Sequence, residues 1–166
     1  PWRWTAAPEA MEKMWIAEAA ANNVAPFVHM SGFPQSLEDR RGMKAVREMF
    51  RFLADNEKYY DGARTHANVA ILLSQDSLAH YAGSRLRQDY SQHYRGIYAA
   101  LTESHIMFDI ICERSLNAEA LARYKVLVLP NAAAMSDAAA AAVRAFVKAG
   151  GGVVATYETS LYTPEG

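Results

Sequence analysis

Apolar residues recur along the chain in two rhythms. Short continuous runs alternate with longer stretches in which apolar side chains return every third or fourth position. The first rhythm predicts buried strands and the second amphipathic helices. From residue 67 onward four runs predict strands: 67–73 (Ala67-Asn68-Val69-Ala70-Ile71-Leu72-Leu73), 108–112, 125–130 and 153–157. Between them lie a helix with Tyr90, Tyr94, Ile97, Tyr98 and Leu101 on one stripe, a short helix near 117–123, and an Ala-rich helix capped by Ser136 or Asp137. The last of these is expected to bury Val143, Phe146 and Val147. Gly150-Gly151-Gly152 closes it, as a helix C-terminus requires. Strands this uniformly apolar belong to a sheet covered on both faces. The alternation β-α-β-α-β-α-β predicts a parallel sheet with right-handed crossovers, and so a flavodoxin-like, three-layer α/β fold with strand order 2-1-3-4. Folds of this class carry a fifth strand and a final helix, so the C-terminal part is expected to be missing.

The first 62 residues follow the same logic on a smaller scale. Residues 8–21 predict a helix with Met11, Met14, Trp15 and Ala19 on one face, and Pro8 suits its first turn. Residues 24–30 predict a short strand, at an edge or starting after Pro26, which cannot donate to a ladder. Ser36 and Asp39 have capping-box spacing ahead of a helix carrying Met43, Val46, Met49, Phe50 and Leu53, which fades by Tyr59-Tyr60 and stops by Gly62. Helix-strand-helix is one slice of a β/α architecture, and one strand cannot make a sheet. The expected organisation is a slice over 1–62 and a domain over 67–166.

Composition narrows the classes. The chain has 166 residues, 51% of them apolar and 21% charged, enough for a packed core. Seventeen Lys and Arg against 18 Asp and Glu give a net charge of -1, which argues against a nucleic-acid partner. No apolar run approaches the roughly 18 residues of a membrane span, and Pro1-Trp2-Arg3-Trp4 does not resemble a secretory leader. The expectation is no membrane and a cytoplasmic location. The first residue is not Met, so a processed product or a cut piece is expected.

Candidate chemistry is sparse. In an open parallel sheet ligands sit beyond the carboxyl ends of the strands, which singles out Asp76, Asn131, Tyr157 and Glu158 as crevice candidates. Asp76 and Glu158 facing each other would make a carboxylate pair able to act on a sugar; solvated loop carboxylates or helix caps are the plainer alternative. The glycine triple ends a helix and opens a strand, the reverse of a phosphate loop, so no flavin or nucleotide cofactor is expected. Cys112, the single cysteine, is flanked by Ile111 and Glu113 rather than by the small residues of a nucleophile elbow, and is expected to be a buried, inert thiol. Asp76/His80 and Asp89/His93 stand at i, i+4, but no third ligand is implied and no metal is expected. Trp2, Trp4, His29 and Phe33 combine aromatic faces with a polar tip, as a sugar-binding cleft does; packing anchors are the alternative. Tyr90, Tyr94 and Tyr98 are candidates for a subunit interface, or for core.

Several segments together resemble a known module: Val69 to Ser77 (VAILLSQDS), Tyr94 to Leu101 (YRGIYAAL), Phe108 to Ile111 (FDII), Tyr124 to Pro130 (YKVLVLP) and Gly150 to Val154 (GGGVV). In this order they resemble the β-galactosidase trimerisation domain, the middle domain of glycoside hydrolase family 42 and its relatives, similar in fold to class I glutamine amidotransferases. The resemblance covers about 67–166. The stretch Pro26 to Met30, the Asp39-Arg40-Arg41 turn and the helix from Phe50 to Tyr60 look like the last β/α unit of the catalytic barrel. The resemblance implies a glycoside hydrolase parent acting on carbohydrate, with catalytic glutamates on earlier barrel strands that this chain lacks. It implies a homo-oligomer, with a trimer as the form the family name suggests. It would also put an amidotransferase nucleophile near 155–159, where Tyr157-Glu158-Thr159 holds no cysteine. The expected role is a non-catalytic module serving subunit association and shaping the active-site rim. The alternatives are a small carbohydrate-acting hydrolase using Asp76 and Glu158, or a carbohydrate-binding module.

Overall fold

The structure, a computed structural model, describes residues 7–29, 39–81 and 84–165, and only the backbone of 84–89. It divides into two compact units, Pro1–Arg64 and Thr65–Gly166.

In the first unit helix α1 (Glu9–Ala21) packs against α2 (Arg41–Asp55), with a short α3 (Glu57–Tyr60) behind it. The expected apolar face of α1 is not the buried one. Ile16 is buried, whereas Met11, Met14 and Trp15 are exposed. On α2 the buried positions are Gly42 and Ala45; small residues let two helix backbones approach closely, and Lys13 Nζ to Glu48 Oε2 at 2.7 Å spans the pair. The strand expected over 24–30 does not form: residues 24–29 are irregular. An extended apolar run becomes a strand only beside another strand, and among the described residues this unit supplies none. Ser36 lies outside the described residues; Asp39 accepts from the Arg41 backbone N–H at 3.2 Å.

The second unit is the α/β domain the alternation predicts. Strands β1 (Val69–Leu72), β2 (Phe108–Ile111), β3 (Val126–Leu129) and β4 (Gly152–Ala155) form one sheet in the order β2-β1-β3-β4, every pair parallel. Helices α4 (Gln75–His80), α5 (Ser84–Glu103), α6 (Ala118–Leu121) and α7 (Asp137–Lys148) connect them. Ala70, Leu72, Leu127 and Leu129 form the main core with Leu121, Met135 and Phe146; Tyr81, Tyr90 and Ala133 form a second cluster. Of the residues expected to be buried on α7, Phe146 is, but Val147 is exposed.

Caps explain where the helices stop and start. Ser136 and Asn117 side chains accept from the N–H groups of Ala139 and Ala120, satisfying first-turn donors. Helix α7 ends with Gly150 at φ 97°, the Gly151 N–H on Phe146 O at 3.0 Å and the Gly150 N–H on Val147 O at 2.9 Å. That is a Schellman closure, and it needs the left-handed residue that glycine supplies.

Candidate functional site

In the order 2-1-3-4 the chain reverses direction of travel across the sheet between β1 and β3, and the crevice beyond their carboxyl ends is where such a sheet offers a ligand site. Here the crevice is filled by its own residues. Ser74, Ser77 and Asn131 are fully buried. The Ser74 hydroxyl donates to Ser77 Oγ at 2.8 Å and caps α4 by accepting from the Ser77 N–H at 3.1 Å. Ser77 Oγ donates to Ala134 O at 3.3 Å and accepts from the Ala134 N–H at 3.1 Å. From behind, the Ser74 N–H donates to the Tyr90 hydroxyl at 2.6 Å. The turn after β1 and side chains from α4 and α5 thus join the loop after β3 in one buried polar seal.

The crevice carboxylates take separate partners. Glu113 accepts from the N–H groups of Gln75 at 3.1 Å and Asp76 at 3.4 Å, at the start of α4. Burial first, and the Glu113 carboxylate second, raise the Asp76 carboxyl above its ordinary value. Glu158 instead accepts from the Tyr81 hydroxyl. Burial, followed by that bond, pushes the Tyr81 phenol up to about 12. Burial likewise raises Tyr90, and it takes Tyr124, whose hydroxyl donates to Asp109 at 2.8 Å, up to about 12.

Beyond β3 and β4 the backbone is unusual. Asn131, Tyr157 and Ser160 hold φ of 45°, 54° and 62°, a left-handed region that costs a non-glycine residue about 1 kcal/mol or more. The tertiary bonds that hold it are explicit. The Asn131 N–H donates to Thr156 Oγ1 at 3.1 Å, and Thr159 Oγ1 to Leu129 O at 3.0 Å. The Ser160 N–H donates to Ala132 O at 2.9 Å and the Tyr162 N–H to Ala133 O at 3.0 Å. The buried Asn131 side-chain amide lies close enough to the Tyr81 hydroxyl to favour its ionised form, but meets no partner in good hydrogen-bond geometry among the described residues. Tyr157 is exposed and stacks on His93 with ring centroids 5.1 Å apart. It occupies the sharp turn after β4, and its side chain is a phenol rather than a thiol.

The remaining sequence candidates scatter. Trp2, Trp4 and Phe33 lie outside the described residues. His29 is exposed in the first unit beside Phe27, ring centroids 6.4 Å apart. Of the tyrosine stripe, Tyr90 is core, Tyr94 is half-buried and Tyr98 is exposed. Cys112 is half-buried rather than buried. Among the described residues no cluster of three or more His, Cys, Asp or Glu could hold a metal, and no helix is long and apolar enough to cross a membrane. Sequence reasoning missed Ser77, Tyr81 and Thr156. The one available signal was the Ser74-x-x-Ser77 spacing after an apolar strand, which marks a cap.

The family model for the β-galactosidase trimerisation domain matches residues 67–166. No curated protein matches the chain. Among solved structures, a β-galactosidase from Bacillus circulans sp. alkalophilus is similar at 21% identity and a TM-score of 0.70, over 95% of this chain and 25% of that one. An α-L-fucosidase isoenzyme 2 from Paenibacillus thiaminolyticus is similar at 27% identity and a TM-score of 0.60, over 95% and 23%. The E323A mutant of Gan42B, a family 42 β-galactosidase from G. stearothermophilus, follows at 24% and 0.61, over 79% and 19%. The chain therefore spans about a quarter or less of these three chains. The family match extends over more than half of the chain and coincides with the parallel sheet and its flanking helices: the chain belongs to the β-galactosidase trimerisation domain family.

Proposed function

We propose that this chain is a non-catalytic part of a β-galactosidase-like glycoside hydrolase, and that its second unit serves subunit association and shapes the rim of the parent's active site. The observation that carries the reading is the seal over the switch-point crevice. Ser74, Ser77, Ala134 and Tyr90 spend on one another the polar groups that a ligand would need. The turn after β4 supports it too, since a nucleophile there would have to be a residue other than Tyr157. On this reading the first unit is the closing β/α piece of the catalytic barrel. Its exposed Met14, Trp15 and Phe27 are the surface such a piece would present to neighbouring barrel strands. Carbohydrate is then the parent's ligand, and Trp2, Trp4, His29 and Phe33 belong to its rim.

Two measurements test this. Sedimentation velocity of the purified chain at tens of micromolar is expected to show a homo-oligomer, as an interface of ordinary size would give; a monomer throughout would refute association. A panel of nitrophenyl glycosides is expected to show no turnover. Turnover that is lost in Asp76→Asn or Glu158→Gln would refute the non-catalytic assignment.

A further inference from the structure

We propose that the Asn131 side-chain amide, with Tyr81 and Glu158, is a binding site for a single neutral hydroxyl group. The site is independent of the association reading above. Among the described residues three polar side chains are fully buried in the crevice: Ser74, Ser77 and Asn131. The seal spends the first two and leaves the third out. Neither Oδ1 nor Nδ2 of Asn131 meets a partner in good hydrogen-bond geometry among the described residues. Buried amides are ordinarily paired, and one left over calls for a partner from outside the chain. Turning the side chain finds no free donor among the groups around it that are already engaged. The Tyr81 hydroxyl donates to Glu158. The Ala133 N–H donates to the Asn131 backbone carbonyl at 2.7 Å, and the Ala134 N–H to Ser77 Oγ at 3.1 Å. From the segment after β4, the N–H groups of Ser160 and Tyr162 go to Ala132 O at 2.9 Å and Ala133 O at 3.0 Å.

The unused groups fix the chemistry of the ligand. Asn131 offers an acceptor, Oδ1, and a donor, Nδ2. Glu158 adds a carboxylate whose Oε2 accepts from Tyr81. An anion is repelled by Glu158, and a bare cation by the Nδ2 protons. A neutral hydroxyl suits both, because it donates one proton and accepts others. Such a group belongs to a water molecule or to a carbohydrate. Asn131 is closed to solvent at 0% exposure, so water fits the closed structure. A sugar hydroxyl reaches the amide only when the 156–162 segment lifts. That segment packs on the loop after β3 with Tyr157 and Ser160 in the left-handed region, and Asn131 beneath it holds φ of 45°. Strained residues of this kind cluster at ligand clamps and moving segments.

The test uses the full chain and has two arms. In the first, a crystal structure is solved without sugar, at a resolution that shows ordered water. The expected result is an oxygen within hydrogen-bond distance of the Asn131 amide and of Tyr81 or Glu158. In the second, D-galactose is titrated in solution while NMR follows the Asn131 side-chain NH2 resonance, assigned by its loss in Asn131→Asp. An ordered oxygen with no shift on titration assigns the site to water. A shift that saturates with galactose assigns it to a carbohydrate hydroxyl, with the 156–162 segment lifting to admit it. An Asn131 amide bonded to protein groups alone in the crystal, with no shift on titration, overturns the proposal. The oligomeric state decides the association reading separately, so either can fail while the other stands.

Discussion

Ser77→Ala tests the seal most directly. The substitution removes one oxygen at a fully buried position and deletes three hydrogen bonds: from the Ser74 hydroxyl, from the Ala134 N–H and to Ala134 O. A net hydrogen bond contributes about 1 kcal/mol, and a buried donor left without a partner costs about 1–3 kcal/mol. The Ser74 hydroxyl can rotate toward another acceptor, whereas the Ala134 N–H is fixed by the backbone. The expected loss is therefore about 2–4 kcal/mol, a large share of the stability of a domain this size, or a fall in Tm on the order of 10–20 °C. Urea unfolding is the assay, read separately for the two units. All three tryptophans (Trp2, Trp4, Trp15) lie in the first unit, while seven of the nine tyrosines lie in the second. Near-ultraviolet circular dichroism of the tyrosines then reports the damaged unit, and tryptophan fluorescence is the internal control. Exposed Ser104→Ala is expected to stay within about 0.5 kcal/mol. A Ser77→Ala loss below about 1 kcal/mol would refute the claim that this hydroxyl joins the start of α4 to the loop after β3.

Gly151→Ala places a Cβ 2.3 Å from Cε1 of the Phe146 ring, which the core holds in place. The expected cost is about 1–3 kcal/mol, and in a double variant with Phe146→Leu the costs should fall short of additive. Because the folded state raises the Asp76 carboxyl, charged Asp76 works against folding. Its favourable contribution is whole below the unfolded pKa and is lost as pH rises through the folded one. Asp76→Asn is thus expected to raise Tm slightly at pH 7, solvent screening keeping the effect small, and to have no effect near pH 3, measured by calorimetry. Tyr81, Tyr90, Tyr94 and Tyr124 all have raised phenols. Absorbance at 295 nm should show four tyrosines ionising late. Stability should hold below the unfolded tyrosine pKa of about 10 and fall as pH climbs toward 12.

The sheet was legible because its strands are apolar on both faces, and that pattern has few other uses. Its order came from the arrangement usual for a flavodoxin-like fold rather than from any residue. The same reasoning misled at 24–30, where an equally apolar run has no neighbour to pair with. On α1 the helical period was right but the phase was not. Ile16 is the buried position of α1, which packs against α2, and nothing within α1 specifies that partner. The seal was less legible still. Glu113 caps a helix start from 38 positions away, and a serine on a buried bridge is spelled like a serine in water. Tyr90 showed as one of a stripe, but only tertiary placement separates it from Tyr98, one buried and one open.

The central position of β1 has a consequence in time. Both of its neighbours come later in the chain, β2 at 108 and β3 at 126. The Ser77–Ala134 bridge closes a span of 57 residues. Loop closure over such distances must precede the contacts that reward it. During synthesis β1 therefore waits as an unpaired apolar strand until β2 has emerged, and gains its second partner only with β3. The seal and the 156–162 latch can form only after that. A ribosome-stalled chain from which residue 111 has just emerged would hold an open two-stranded ribbon, the stage at which this unit is most exposed to aggregation.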